Sequence, residues 1–222
     1  MRSSDLSAEA DMIPTREEMH YALCERHGEE LQRKFENASV VICGLGGLGS
    51  NISVSLARAG VGHLHLIDFD SVDISNLNRQ QYFPDQLGRP KTEALAETLC
   101  RIAPYINVTC ETVKLTEENI PVLLAPFPII CEAFDKADQK AMLVNSVLEC
   151  FPGKYLIASS GMAGLGSSNS IVTRKISKHF WLCGDGVSDV SDGLGLVSAR
   201  VAVCAAHQAN MILRLISGET EA

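Results

Sequence analysis

The spacing of apolar residues changes several times along this chain, and each change marks a structural element. Residues 16–35 carry Met19, Leu23, Leu31 and Phe35 on a four-residue stripe. That spacing predicts one helix lying on a surface, such as that of a partner subunit. Val40 to Cys43 are apolar without alternation, as a strand buried on both faces must be. A helix-like stretch follows, and a second apolar run ends in Asp68. The pattern then predicts helix 90–102, strand 106–114, a short helix near 116–125, strand 128–134, helix 137–151 and strand 154–159. Pro104, Pro121, Pro126 and Pro152 fall at boundaries between these pieces. Segments 169–177 and 179–183 read as further strands. Helix 198–217 closes the chain, with Val201, Ala205, Ala209, Ile212 and Ile216 on one face that suits a core or a dimer seam. Residues 1–15 read as a flexible amino terminus and 16–222 as one domain. Repeated β and α segments of this kind imply an α/β fold, doubly wound, with a mainly parallel sheet, helices on both faces and antiparallel strands at the carboxyl-terminal edge.

The junction after the first strand carries chemistry. Gly44-Leu45-Gly46-Gly47-Leu48-Gly49 sits between that strand and its helix, and Asp68 closes the next strand. A strand, glycine turn, helix, strand and acid in this order match a Rossmann-like nucleotide fold. Gly44 and Gly46 permit a tight turn whose N–H groups approach phosphate oxygens, and Gly49 permits close packing of helix on strand. Asp68 stands where a carboxylate accepts hydrogen bonds from ribose hydroxyls. Glycines alone would suggest NAD. Arg79, just past the second strand, and Lys91, at the opening of the next helix, favour a triphosphate under attack, whose charge must be neutralised. Asp135, at the end of the strand around Ile129-Ile130-Cys131, is a candidate Mg²⁺ ligand.

Composition narrows the class. The chain has 222 residues, 46% hydrophobic and 21% charged, with a formal net charge of −8. The acidic balance argues against nucleic acid or an anionic membrane as the main partner. No apolar run reaches membrane-spanning length and the polar amino terminus lacks the order of a signal peptide. The eight cysteines are unpatterned, which fits a reducing cytoplasmic setting. None forms a CxxC pair, so no zinc site is expected. Cys183, at the end of the strand expected over 179–183 and the one cysteine in a polar, loop-like setting, is weighed as a nucleophile and taken as an incidental or structural thiol. Asp185, Asp189 and Asp192 read as a mobile acidic loop beside a substrate groove, and Gly161, Gly164 and Gly166 as a flexible turn near it. Arg58 reads as a helix-surface residue and His207 as a hydrogen-bonded core histidine. Asp70 and Asp73 follow Asp68; both read first as solvated turn acids, with a metal role for one of them as the alternative and Asp70 also counted among candidate nucleotide contacts.

The stretches GLGGLGS (44–50), LIDFDSVDISNLNRQ (66–80), GRPK (88–91) and CEAFD (131–135) resemble the ThiF/MoeB/HesA family, relatives of the ubiquitin-activating enzymes. ASSGMAGLGSSNS (158–170), WLCGDGVSD (181–189) and AAHQANMILRL (205–215) resemble its short ThiF-type members. The resemblance runs from about residue 16 onward. It implies ATP-dependent adenylation of the carboxyl-terminal glycine of a small ubiquitin-like sulfur carrier, with Gly-Gly at its end, by a homodimer. By position it assigns nucleotide contacts to Gly44, Gly46, Gly47, Gly49, Asp68, Asp70, Asn76, Arg79, Gln80 and Lys91. Asp68 would hold the ribose, Asn76, Arg79 and Lys91 the phosphates, and Asp135 the metal. Arg79, Lys91 and Asp135 would serve catalysis. Thiamine biosynthesis, with a ThiS-like carrier, is the expected setting. The alternatives are a molybdopterin-type carrier, an RNA substrate, an NAD-dependent oxidoreductase and a non-catalytic carrier-binding protein.

Overall fold

The computed structural model describes residues 13–222. Seven strands form one sheet: β1 Ser39–Cys43, β2 His63–Ile67, β3 Asn107–Glu111, β4 Ile129–Glu132, β5 Tyr155–Ser159, β6 Val172–Ser177 and β7 Phe180–Gly184. Their spatial order is β3-β2-β1-β4-β5-β7-β6. Every pairing is parallel except β6 with β7. The α-helices among the described residues are α1 Arg16–His27, α2 Glu29–Glu36, α3 Gly47–Arg58, α4 Lys91–Ile102, α5 Ile120–Leu123, α6 Ala137–Cys150 and α7 Ser198–Ser217.

Alternate residues of β1 explain the two-sided burial. Val40 and Ile42 face one core with Ile52 and Leu56 of α3, Leu95 and Leu99 of α4, and Val201 and Ile212 of α7. Val41 and Cys43 face a second core with Ile120 of α5 and Leu143 and Val147 of α6. A strand sandwiched this way has no face left for a polar side chain, which is why its sequence does not alternate. The doubly wound fold expected from the sequence is present.

Local physics moves some boundaries. The helix expected over 16–35 is two helices, because Gly28 takes φ +90° and ends α1. Thr15 starts α1 with a capping box, its hydroxyl accepting from the Glu18 amide while the Glu18 carboxylate accepts from the Thr15 amide. Strand β4 stops at Glu132, short of the expected 134, and the helix expected over 116–125 shrinks to the single turn of α5. The region from Val172 to Ser177 is an edge strand with exposed Val172 and Ile176 and an irregularity between Lys175 and Ser177. No helix among the described residues is long and apolar enough to cross a membrane.

A tight constraint lies between β1 and α3. Gly44 has φ +93°, and a Cβ there would stand 2.8 Å from the Ala133 carbonyl oxygen and 2.9 Å from Phe134 Cδ1. A Cβ on Gly49 would overlap the Gly44 carbonyl oxygen itself. Gly49→Ala should therefore destabilise the fold by at least about 2 kcal/mol in urea denaturation. Gly153→Ala, in open space, should change stability by less than about 0.5 kcal/mol.

Candidate functional site

The glycine turn delivers the amino terminus of α3 to the carboxyl end of β1, and no side chain caps it. The first-turn N–H groups of an uncapped helix are open donors with a favourable dipole for anions. Asp68 sits beside them, almost fully buried. Its Oδ2 accepts from the Leu45 amide at 2.6 Å and its Oδ1 from the Asp70 amide at 2.8 Å. Burial pushes the Asp68 pKa above its ordinary value, against the lowering pull of Lys91 and the two amides. Lys91 is only 6% exposed and donates to Asp70 Oδ2 at 3.0 Å. Asp70, read first as a solvated turn acid, is thus the partner of a buried ammonium. Its carboxylate remains half exposed.

Residues 76–81 pack over the start of α3. Asn51 donates to the Arg79 carbonyl at 3.0 Å and Ser50 Oγ accepts from the Gln81 amide at 3.1 Å. The Arg79 stem runs along Gly47, where a Cβ would meet its Cγ at 3.4 Å. Its Nη1 bonds the Ser75 carbonyl and Asn78, while its buried Nε has no partner. Gln80 is 7% exposed, and its Oε1 is likewise buried without a partner. Such orphans are rare in folded chains, and two of them lie beside one open helix end. Asn76 is spent on its own turn, its Oδ1 accepting from the Asp73 amide at 3.1 Å.

Thus Gly44, Gly46, Gly47, Gly49, Asp68, Asp70, Arg79, Gln80 and Lys91 surround one helix end. Asp135 is exposed in the turn after β4, whose residues Ala133 and Phe134 abut Gly44. Among the described residues no three His, Cys, Asp or Glu side chains form a metal-holding group. A cation at Asp135 would need oxygens from a ligand, as phosphate-bound Mg²⁺ has. Next to this region a cleft of about 390 Å³ opens between Lys114–Glu118 and Gln139 and Met142 of α6. The Lys114 ammonium lies 6.0 Å from the ring centre of exposed Phe69, the residue after Asp68.

Two buried ion pairs escaped the sequence reading. Glu132, fully buried at the end of β4, pairs with Lys140 of α6 at 3.0 Å. Its signal was an acid inside the apolar run IICEA. Arg200, in the first turn of α7, pairs with Asp185 at 2.5 Å and donates to the carbonyls of Ala163, Gly166 and Ser167. The segments read as a mobile acidic loop and a flexible glycine turn are therefore tied to one buried guanidinium. Nothing in the sequence marked it, because the groups it gathers are mostly main-chain carbonyls. Asp189 and Asp192 remain exposed.

Cys183 belongs to the strand expected over 179–183 and has no loop-like setting. It lies buried within β7, and burial pushes its thiol up to about 11, which disfavours the thiolate. His207 is half-buried and hydrogen-bonded to Thr173 at 3.0 Å. Arg58 is exposed.

Residues 19–222 match the ThiF family. The molybdopterin-synthase adenylyltransferase of Salmonella typhimurium is 31% identical over 155 residues, covering 69% of this chain and 61% of that protein. The Escherichia coli enzyme of the same name is 28% identical, over 84% and 76% respectively. The sulfur carrier protein adenylyltransferase of Thermus thermophilus is 34% identical over 59% of this chain and 43% of its own length. The chain thus spans between about two fifths and three quarters of these relatives. Among solved structures, the E. coli tRNA N6-threonylcarbamoyladenosine dehydratase bound to ATP superposes with a TM-score of 0.80 at 23% identity, covering 90% of this chain and 94% of that one. That likeness is one of fold.

Asp185 gives the site a testable acid response. Burial raises its pKa, but the Val187 and Ser188 amides, the Ser188 hydroxyl and Arg200 outweigh it and hold it at about 2, below the ordinary 3.8. A depressed carboxylate stabilises above its unfolded pKa and loses that contribution as pH falls through the folded one. In urea denaturation, the stability gap between the natural chain and Asp185→Asn should be largest at about pH 5 and shrink steadily toward about pH 3.

Proposed function

Because the chain belongs to the ThiF family, we propose that it is an ATP-dependent adenylyltransferase. Its substrate is the carboxyl-terminal glycine carboxylate of a small ubiquitin-like sulfur carrier ending in Gly-Gly. The observation that carries this reading is the convergence of an uncapped helix amino terminus, a buried lysine and an arginine and glutamine with orphaned buried polar atoms. That set suits a polyphosphate. The names of the adenylyltransferase relatives support the reaction class and a carrier as its substrate. A ThiS-like carrier, hence thiamine biosynthesis, is the form proposed here, in a cytoplasmic setting that suits eight free thiols.

In the reaction, a carrier carboxylate oxygen attacks the α-phosphorus. The bond to the β-phosphate oxygen breaks, pyrophosphate leaves, and an acyl adenylate remains. No general base is needed, since a carboxylate is ionised at pH 7. The α3 amides, Arg79 and Lys91 offset the charge on the phosphates, Asp68 holds the ribose, and the cleft beside Phe69 receives the base. Asp135, together with phosphate oxygens, would hold Mg²⁺, which supplies further charge neutralisation when bound. Catalysis here rests on alignment and electrostatics. The thin, surface-lying α1, which has no fully buried residue, suits a homodimer in which it lies on the partner.

Calorimetry should show Mg-ATP binding and no NAD binding at matched concentrations; the reverse result would refute adenylation. With a purified ThiS-like carrier, pyrophosphate–ATP exchange should fall by about a hundredfold or more in Arg79→Ala and in Asp135→Asn, as loss of a charge-stabilising group predicts. Exchange in Cys183→Ser should stay near the natural rate, because no thiolate acts in this step.

A further inference from the structure

The Glu132 carboxylate is the most enclosed acid in the molecule's candidate site, yet no step above uses it. It accepts from the Phe134 amide at 2.7 Å, from the Ser159 amide at 3.2 Å, and from Lys140 through both oxygens at 3.0 and 3.1 Å. The Lys140 ammonium also reaches the Ser159 carbonyl at 3.1 Å and its hydroxyl at 2.9 Å. Four acceptors therefore share its three N–H groups, and none is left for a substrate. From the opposite face of the sheet, Gln208 of α7 holds the Glu132 carbonyl at 2.9 Å.

What this unit joins is specific. On one side is the turn Ala133-Phe134-Asp135, which touches the glycine turn at Gly44. On the other is the end of β5, from which the Ser160–Gly166 segment departs. An ion pair on a fully buried carboxylate adds little as mere stabilisation, since apolar residues of equal size often serve as well. Two oxygens aimed at two amides from different strands do something apolar side chains cannot: they set the relative position of those strand ends.

We propose that the Glu132–Lys140 pair is a positioning latch for adenylation, fixing Asp135 and the β5 exit loop relative to the glycine turn. The proposal rests on the adenylyltransferase reading for its kinetic consequence alone. Neither residue touches the reacting atoms. A displacement of about 1 Å at a reacting group costs about a hundredfold in rate, so the latch should appear in kcat and not in nucleotide affinity.

The test compares Lys140→Met, Lys140→Arg and the double variant Glu132→Gln/Lys140→Met, which carries no unpaired buried charge. Exchange with the ThiS-like carrier should show kcat down about a hundredfold in Lys140→Met and in the double variant, with KM for ATP within about threefold. Lys140→Arg should recover most of the rate. Rates are taken per bound ATP, counted by calorimetry, so that unfolded protein does not contribute. Amide hydrogen exchange supplies a readout independent of any carrier. Glutamine offers one acceptor oxygen where glutamate offers two, so in the double variant the Phe134 or the Ser159 amide should exchange at least about tenfold faster while the α3 and α7 amides keep their protection. Natural turnover per bound ATP in the double variant, or unchanged protection of both amides, would overturn the latch. A natural chain inactive with every carrier would instead sink the adenylation reading, and the amide readout would still decide the latch.

Discussion

Between Gly44 and Gly49 the chain turns back so closely that a main-chain carbonyl occupies the space any side chain on Gly49 would need. Much follows from that one contact. It brings the first turn of α3 directly onto the end of β1, leaving that turn's amides uncapped. It also sets the level at which the Leu45 amide meets Asp68, so that β2 ends beside the same helix. Tyr82, whose hydroxyl donates to the Leu45 carbonyl at 2.8 Å, closes the turn from the other side. The charged groups gather at this point because the backbone geometry leaves donors there with nothing else to bind.

The polar interior at the carboxyl ends of the strands is organised by two ion pairs of different design. Glu132 and Lys140 tie strand ends together from beneath. Arg200 and Asp185 gather loops, with the guanidinium acting chiefly on main-chain carbonyls. Both pairs spend nearly every donor and acceptor within the protein, as burial of charge requires. Arg79 and Gln80 behave differently, each keeping a buried polar atom unsatisfied. Trp181 Nε1 and Gln208 Oε1 are also unpaired, so what sets Arg79 and Gln80 apart is their place beside the open end of α3.

The mainly parallel α/β layout, the glycine turn and the acid that follows β2 were legible in the sequence because each has a local signature. Unbroken apolar runs flag strands covered on two sides, and glycine spacing flags a backbone crossing. The break at Gly28 was hidden by an apolar stripe that continues in phase across it. The loop-like setting read for Cys183 comes from Gly184, Asp185 and Gly186, which follow it, whereas the strand expected over 179–183 is present as β7. The role of Glu132 was not legible: its partners lie eight and twenty-seven residues away, and two of its contacts are with main-chain amides that any residue could supply. Asp70 illustrates the same limit, since an acid in a turn looks solvated until the fold brings Lys91 to it.

The outer strand β6 carries a further consequence. An open row of amides and carbonyls beside exposed Val172 and Ile176 is the ordinary starting point for sheet-to-sheet aggregation. Here Arg174 folds back onto the Gly184 carbonyl at 2.9 Å, Lys175 reaches Glu221 at 3.0 Å, and the irregularity before Ser177 throws the ladder out of step. Charge and broken register act as gatekeepers on this edge, making it a poor template for a second copy's strand. The guarded edge thus belongs to the same hairpin that buries Trp181 and Cys183.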